Sequence, residues 1–446
     1  MPVFYNYTEG GYVYSFDDVF VPADAFRQGN LWSWGYNAYG QLGDFRTVDR
    51  STPVTTLAGG ANWKQVASGG RSSAAIKTDG TLWTWGSNYR GELGDNTMIN
   101  RSTPVTTFAG GTNWKQVSCG GNFTSAIKTD GTLWVWGQNS YGQLGINLGL
   151  STNSRTTPVT TFAGGTNWKQ VSCAYACMAA IKTDGTLWTW GRNSEGQLGI
   201  NNTTTPICTP VTTFAGGTNW KQVSTSNGNS HTAAIKTDGT LWTWGRNNNG
   251  QLGDNTTITR TTPVTTFAGG TNWKQVSAGD GATAAVKTDG TLWLWGGNYG
   301  TLGTNNNPNR STPVTTFAGG TNWKQVSSGI GVIEAIKTDG TLWVWGSSGA
   351  GGVMGVNDTN FRLTPVTTFA GGTNWKKVSV GRNQTSAIKT DGTLWIWGFG
   401  SQAGIGDNTA VTKLTPVTTF AGGTNWNQIY SGGGHTLAVT YIDSYM

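Results

Sequence analysis

Histidine and cysteine are the side chains best able to act as bases, nucleophiles or metal ligands near neutral pH. This chain of 446 residues has two histidines and four cysteines. His231 and His435 each stand four residues ahead of an aliphatic residue, Ile235 and Val439, in two copies of one short motif. Cys177 holds the corresponding place in the copy before His231. A cysteine and a histidine supply two ligands, half of what a structural zinc site takes, so a packed pair and no metal are expected. Cys119 and Cys173 also share a column and read as buried thiols, while Cys208 stands apart. Serine and threonine abound, but no histidine is set out to activate one. No GxxxxGK[ST] phosphate loop occurs. The lysine and aspartate of IKTDG, Lys77 and Asp79 in the first copy, recur seven times, whereas a catalytic pair is ordinarily unique. These residues predict binding rather than turnover, with no catalytic residue and no cofactor.

The elements that carry them form a tandem repeat. The prolines of TPVTT stand at Pro53, Pro104, Pro158, Pro210, Pro263, Pro313, Pro365 and Pro416, at intervals of 50 to 54 residues. All 24 tryptophans fall into three columns of eight copies, one in the NW pair and two in LWxWG. Charged residues are only 11 % of the chain and glycines number 68. So much tryptophan excludes a disordered chain, and the β-branched, Gly-rich composition excludes a helix-rich enzyme.

Each unit reads as strands. AIKT and TLWTW flank an Asp-Gly pair, a strong hairpin signal because the turn needs positive φ. In residues 81–85 the alternation sets Trp83 and Trp85 on one face, Leu82 and Thr84 on the other, so both faces are covered. NWKQVS and TPVTTF supply two more strands, the proline marking an edge. Four strands in about 50 residues make a propeller blade, which buries its faces only against neighbours. The first LWxWG precedes the first TPV, and the last NW segment has no LWxWG after it. These orphan halves complement each other, so the N-terminal strand should complete the C-terminal blade.

The unit LWTWGSNYRGELGDN, then TPV, then WKQVSCGGNFTSAIKTDG resembles the regulator-of-chromosome-condensation (RCC) repeat. That repeat joins a W-G-x-N-x-x-G-Q-L-G turn to a TPV strand and a V-x-x-G-x-x-H-T strand. The resemblance covers residues 31–439 and implies a closed propeller, usually of seven blades. The family's ultraviolet-sensing member depends on a GWRHT motif that this sequence lacks, so the tryptophans read as core. The inserted wedges and basic tail of the family's exchange factors are also not visible.

A net charge of +7 invites a nucleic-acid reading, but the charge is evenly spread. Seven IKTDG lysines match seven aspartates of the same motif, and seven more lysines follow the NW tryptophan (Lys64, Lys115, Lys169, Lys221, Lys274, Lys324, Lys376). The excess is one lysine per unit, read as a solvated rim residue covering its neighbouring tryptophan with its stem. Two stretches vary between otherwise near-identical units, one before the AI column and one after GQLG. The candidate partner-binding residues lie in the first: Arg71, Phe123, Tyr175, Asn229, Asp280, Ile330 and Arg382.

Together these readings predict an all-β chain: a closed β-propeller of RCC-type repeats, eight-bladed (seven the alternative), with about four strands per blade. It should form one domain over 26–442, preceded by an aromatic docking segment at 1–25 carrying Phe4, Tyr5, Tyr7, Tyr12, Tyr14, Phe16 and Phe20. No stretch reaches the ~18 apolar residues of a membrane span, and the start lacks a secretory pattern. The expected function is a non-catalytic protein-binding scaffold. The charge-poor, repetitive chain suits a phage or virus structural subunit in a tail, baseplate or capsid decoration. Such a subunit is assembled in the host cytoplasm and joined to other subunits in the virion. The alternatives are a cytoplasmic RCC-type adaptor or guanine-nucleotide exchange factor, and a secreted inhibitor or lectin-like binder. An anionic or glycan surface is a further partner class; specific nucleic acid and membrane insertion are not expected.

Overall fold

The computed structural model describes residues 3–9, 12–18, 29–148, 154–226, 231–298, 300–329, 331–347, 352–381, 383–400 and 404–441, the first two by backbone alone. Eight four-stranded antiparallel sheets follow one another around a ring. The chain is therefore an all-β propeller of eight blades rather than seven. Blade 1 takes Trp63–Ser68, Ser72–Lys77, Leu82–Gly86 and Arg101–Thr106, paired in that order. The first strand of each blade lies beside the first strands of its neighbours, so these strands surround the axis. The TPV strand is the outer edge, where the missing N–H of Pro104 needs no ladder partner. Blade 8 uses both ends of the described ring: Trp426–Ser431 and His435–Thr440 are completed by Leu31–Gly35 and Arg50–Thr55. Leu31 pairs with Val439 and Gly35 with His435.

The core is a series of interblade layers. One face of each sheet carries the three tryptophans, and the other carries the aliphatic residues. Ala67, Ile76 and Leu82 of blade 1 pack against Trp114, Val117 and Trp136 of blade 2. Within a blade, Trp63 meets the edges of Trp83 and Trp85, each at 6.4 Å between ring centroids. The two strands are separated by the second strand, and the meeting is possible because Ala75, paired with both Val66 and Trp83, leaves room above it. Alanine occupies this column in all eight blades. In blade 1 the indole nitrogens of the third strand are satisfied, Trp85 Nε1 donating to Gln41 O of the preceding loop at 2.8 Å and Trp83 Nε1 to Thr81 Oγ1 at 3.0 Å. Trp32 and Trp34 of blade 8 have no such partner among the described residues.

Two local expectations change. The Asp-Gly turn is not a two-residue loop, since Lys77 N donates to Thr81 O and Gly80 N to Lys77 O. Only Gly80 has positive φ, so Asp79 instead receives the Thr81 backbone N–H and hydroxyl at 2.9 and 2.7 Å. The lysine that covers tryptophan is also not the one after NW. It is Lys77, whose Nζ lies 4.7 and 4.9 Å from the ring centroids of Trp63 and Trp83. Lys64 falls at the register shift between Trp63 and Gln65, outside the pairing, and is exposed.

Residues Val3–Glu9 and Tyr12–Asp18 form an antiparallel hairpin with Tyr5 opposite Phe16. The side chains of Phe4, Tyr5, Tyr7, Tyr12, Tyr14 and Phe16 are not described, and Phe20 lies outside the described residues.

Candidate functional site

Strand direction gives the ring two unlike ends. The TDG turns and the FAGGTN connections between blades lie at one end, the turn face. The short loop after each first strand and the long loop after each third strand open at the other, the loop face. All the variable stretches therefore collect on the loop face.

There the short and long loops are tied together mainly through backbone: Ser87 N donates to Arg71 O, Gln138 N to Asn122 O and Arg192 N to Ala176 O, each at 2.9 Å, with Asn122 Nδ2 also donating to Gln138 Oε1 at 3.0 Å. Side chains on this ladder are free to differ. The long loops hang on a buried asparagine; Asn88 Nδ2 donates to Asp95 Oδ1 at 3.0 Å and Asn88 Oδ1 accepts from Leu93 N at 3.0 Å. Asp95 also pairs with Arg101 at 2.7 Å. Burial opposes ionisation of Asp95, but hydrogen bonds from Thr97, Arg101 and Asn88 outweigh it and hold the carboxyl below its usual range. Asp44–Arg50 and Asp254–Arg260 repeat the pair at 2.7 Å, so these charges build loops and are not spare for a ligand.

Of the candidate binding residues, Arg71, Tyr175 and Asp280 are exposed on the loop face. Phe123 is not; it is 1 % exposed and packs with Ile127, Val171 and Met178 between blades 2 and 3. It opens its strand, and that position points into the interblade layer. Asn229, Ile330 and Arg382 lie outside the described residues. Sequence reasoning missed the residues that Arg71 meets. Its guanidinium lies 4.9 Å over Tyr39, which stands edge-on to Tyr36 at 6.1 Å and to Tyr89 at 5.8 Å. Around the ring, Arg192 lies 5.7 Å from Tyr141. The signal was present: Tyr36, Tyr39, Tyr89 and Tyr141 occupy the x positions of WGxNxxG, where neighbouring units carry Ser, Gln, Arg or Asn.

The histidines sit on the same column as Phe123 and reach across to the next blade. His231 Nε2 is 2.8 Å from Thr283 Oγ1, and His435 Nε2 is 2.7 Å from Ser68 Oγ and 3.0 Å from Ser73 Oγ. Thr283 and Ser73 already donate their hydroxyl protons to Gln251 O and Gln41 O. Each histidine must then donate from Nε2, which leaves His435 unable to act as a base toward Ser68 through that nitrogen. His435 Nδ1 has no hydrogen-bond partner among the described residues. Burial lowers both histidines to about 3, so they are neutral locks between blades. Cys177 is buried, and burial pushes its thiol up to about 12, far from a thiolate ligand. No group of three His, Cys, Asp or Glu able to hold a metal occurs among the described residues.

Glu334 was also missed. It stands fully buried where the other blades carry Ala, Ser or Leu, with Oε1 2.9 Å from Thr385 Oγ1. Oε2 has no hydrogen-bond partner among the described residues, and burial raises the carboxyl to about 8. A lone charged residue in a column of otherwise uncharged, mostly small residues was the available signal.

With this geometry in view, likeness to known proteins becomes informative. Residues 25–265 match the family described as the RCC1-like domain, more than half of the chain. The chain belongs to the RCC1-like domain family. The Arabidopsis thaliana ultraviolet-B receptor UVR8 is 31 % identical over 270 residues, 60 % of each chain. The Caenorhabditis elegans X-linked retinitis pigmentosa GTPase regulator homolog is 28 % identical over 318 residues, 60 % of this chain and 22 % of that protein. The match therefore spans less than two thirds of either relative. Among solved structures, human WBSCR16 superposes with a TM-score of 0.64 at 18 % identity, over 94 % of this chain and 100 % of that one. Yeast RCC1 (Prp20) gives 0.63 at 16 %, over 94 % and 90 %. Among the described residues no helix is long and apolar enough to cross a membrane.

Proposed function

We propose that this protein is a non-catalytic RCC-type adaptor that holds a protein partner on its loop face. The observation that carries this reading is the Tyr36–Tyr39–Arg71–Tyr89 cluster. Stacked, half-exposed tyrosine and arginine are the residue types that anchor protein interfaces, because they bring large area at low entropic cost. The cluster is held by a ring whose other parts repeat almost unchanged, so its individuality serves recognition rather than folding. The relatives support the adaptor over a virion subunit, since the named proteins are a plant receptor and a nematode GTPase-regulator homolog. The aromatic segment at 1–25 is proposed as a second docking element, although its two strands lie beside the axis-lining first strands of blades 2 to 7, and its removal should leave the propeller folded.

The test is affinity capture with cross-linking, comparing the natural protein with a Tyr39→Ala, Arg71→Ala, Tyr89→Ala triple variant. Partners cross-linked to the loop face should be lost from the variant while its melting temperature holds. Equal capture by both proteins refutes the assignment of this face. A turnover reaction abolished by Ser68→Ala or His435→Gln refutes the non-catalytic reading.

A further inference from the structure

The turn face carries a pattern that partner recognition by the loop face does not use. Each connection between blades begins with a large apolar residue: Leu57, Phe108, Phe162, Phe214, Phe267, Phe317, Phe369 and Phe420. All eight are between 62 and 68 % exposed. One buried threonine, such as Thr107, separates each from the end of the outer strand, so they stand at the rim. Equivalent positions of a closed ring lie on one circle, so these eight side chains are coplanar anchors. Nearer the axis stand Lys64, Lys115, Lys169, Lys221, Lys274, Lys324 and Lys376, on the strands that surround it; six are exposed and Lys274 is half-buried.

Charge is concentrated here as well. The turn face holds these seven lysines, the seven IKTDG lysines and the seven aspartates of the same turns, leaving seven positive charges. That equals the net charge of the whole chain, so all other charged residues together cancel. Exposed aromatic anchors combined with surface lysines are the makings of interfacial adsorption on anionic lipid.

Symmetry selects among occupants. Eight near-identical units offer the same groups in eight directions and cannot read a unique epitope, but they suit a flat partner that is chemically repetitive. A second copy pressed face to face would bring two lysine rings together. We infer that the turn face is a docking surface for an anionic lipid bilayer, on which the propeller lies flat, Phe rim at the headgroup boundary and loop face outward. The proposal stands independently of the adaptor reading.

Vesicle flotation tests it. The protein should float with phosphatidylcholine vesicles containing phosphatidylserine about tenfold more than with phosphatidylcholine alone, and salt should weaken the effect. A Phe108→Ser, Phe214→Ser, Phe317→Ser, Phe420→Ser variant and a separate Lys64→Gln, Lys169→Gln, Lys324→Gln variant should each lose flotation. Arg71→Ala, on the loop face, should not. These side chains are solvent-exposed, so circular dichroism should confirm both variants folded; if one set misfolds, the other decides. Absence of flotation at low salt overturns the proposal, as does flotation that both folded variants retain. Doubling of the mass by light scattering, abolished by the Phe variant and without flotation, assigns the ring to self-association and also overturns it. Retention on single-stranded DNA without flotation does the same.

Discussion

The two faces of the ring are built from the same repeats, yet one is almost uniform and the other is individual. On the turn face, blades are joined backbone to backbone: Trp114 N donates to Gly80 O and Trp168 N to Gly131 O, each at 2.9 Å. The fit is close; a Cβ on Gly80 would lie 2.1 Å from Thr112 O. A side chain at the TDG glycine would therefore disturb the neighbouring blade as well as its own turn. The first connection, LAGGAN, departs in side chains alone and keeps the bond, Trp63 N donating to Gly29 O at 3.2 Å. On the loop face the cross-links also use backbone, and the residues that make them differ from blade to blade, Arg71, Asn122 and Ala176 holding equivalent places. Uniformity there is not required by the ladder. The difference teaches that repetition in this chain marks where blades hold each other, and variation marks where they do not.

The largest effect expected is on closure. Deleting residues 1–35 removes the Leu31–Gly35 strand from the interior of blade 8 and exposes two strand edges to pairing with other chains. The truncated protein should aggregate; a monomer with unchanged melting temperature would break the account of a ring sealed by its own ends.

Glu334 gives the next largest effect, and its sign is definite. The carboxyl ordinarily titrates near 4.5 and here near 8, so between these values the unfolded chain is ionised while the folded chain holds the proton. Stability should fall as pH rises through that window and level off above it. Glu334→Ala, which restores a residue found in the same column of other blades, should raise stability at pH 8 by on the order of a few kcal/mol. The gain should vanish near pH 4. A gain that does not depend on pH would mean that the residue acts through packing alone.

The histidines act in the opposite direction. Their value drops from 6.5 to about 3, so stability is full above 6.5 and is lost as pH falls toward 3. His435→Gln, the residue Gln384 of the preceding blade, should flatten this acid-side decline in a thermal-melt series. If the decline is unchanged, His435 is less sealed than its surroundings indicate.

The faces themselves can be compared with one substitution each. Gly80→Ala, at φ +80 against Thr112 O, should cost about 1–3 kcal/mol. Arg71→Ala on the loop face should stay within about 0.5 kcal/mol. Equal costs, read by chemical denaturation, would erase the distinction between a structural face and a free one.

The repeat alone determined the fold class and the partition of the tryptophans, because a blade cannot bury its faces without a neighbour. The orphan halves at 31–35 and 426–439 favoured eight blades, and the sheet pairing decided between eight and seven. It also located the variable stretches, since variation against a fixed period needs no coordinates. Tertiary structure decided what those stretches present. Phe123 and Arg71 stand one position apart in the equivalent loops of neighbouring blades, yet one opens a strand and turns into the interblade layer while the other stays outside and stacks on Tyr39. One step along a strand exchanges core for surface. Only the ring placed Tyr39 from blade 8 beside Arg71 and Tyr89 from blade 1, put His435 against Ser68 across 367 residues, and gathered the excess lysines and the phenylalanine rim on one face. Those contacts are made between blades, and their distances are fixed by ring closure rather than by any spacing along the chain.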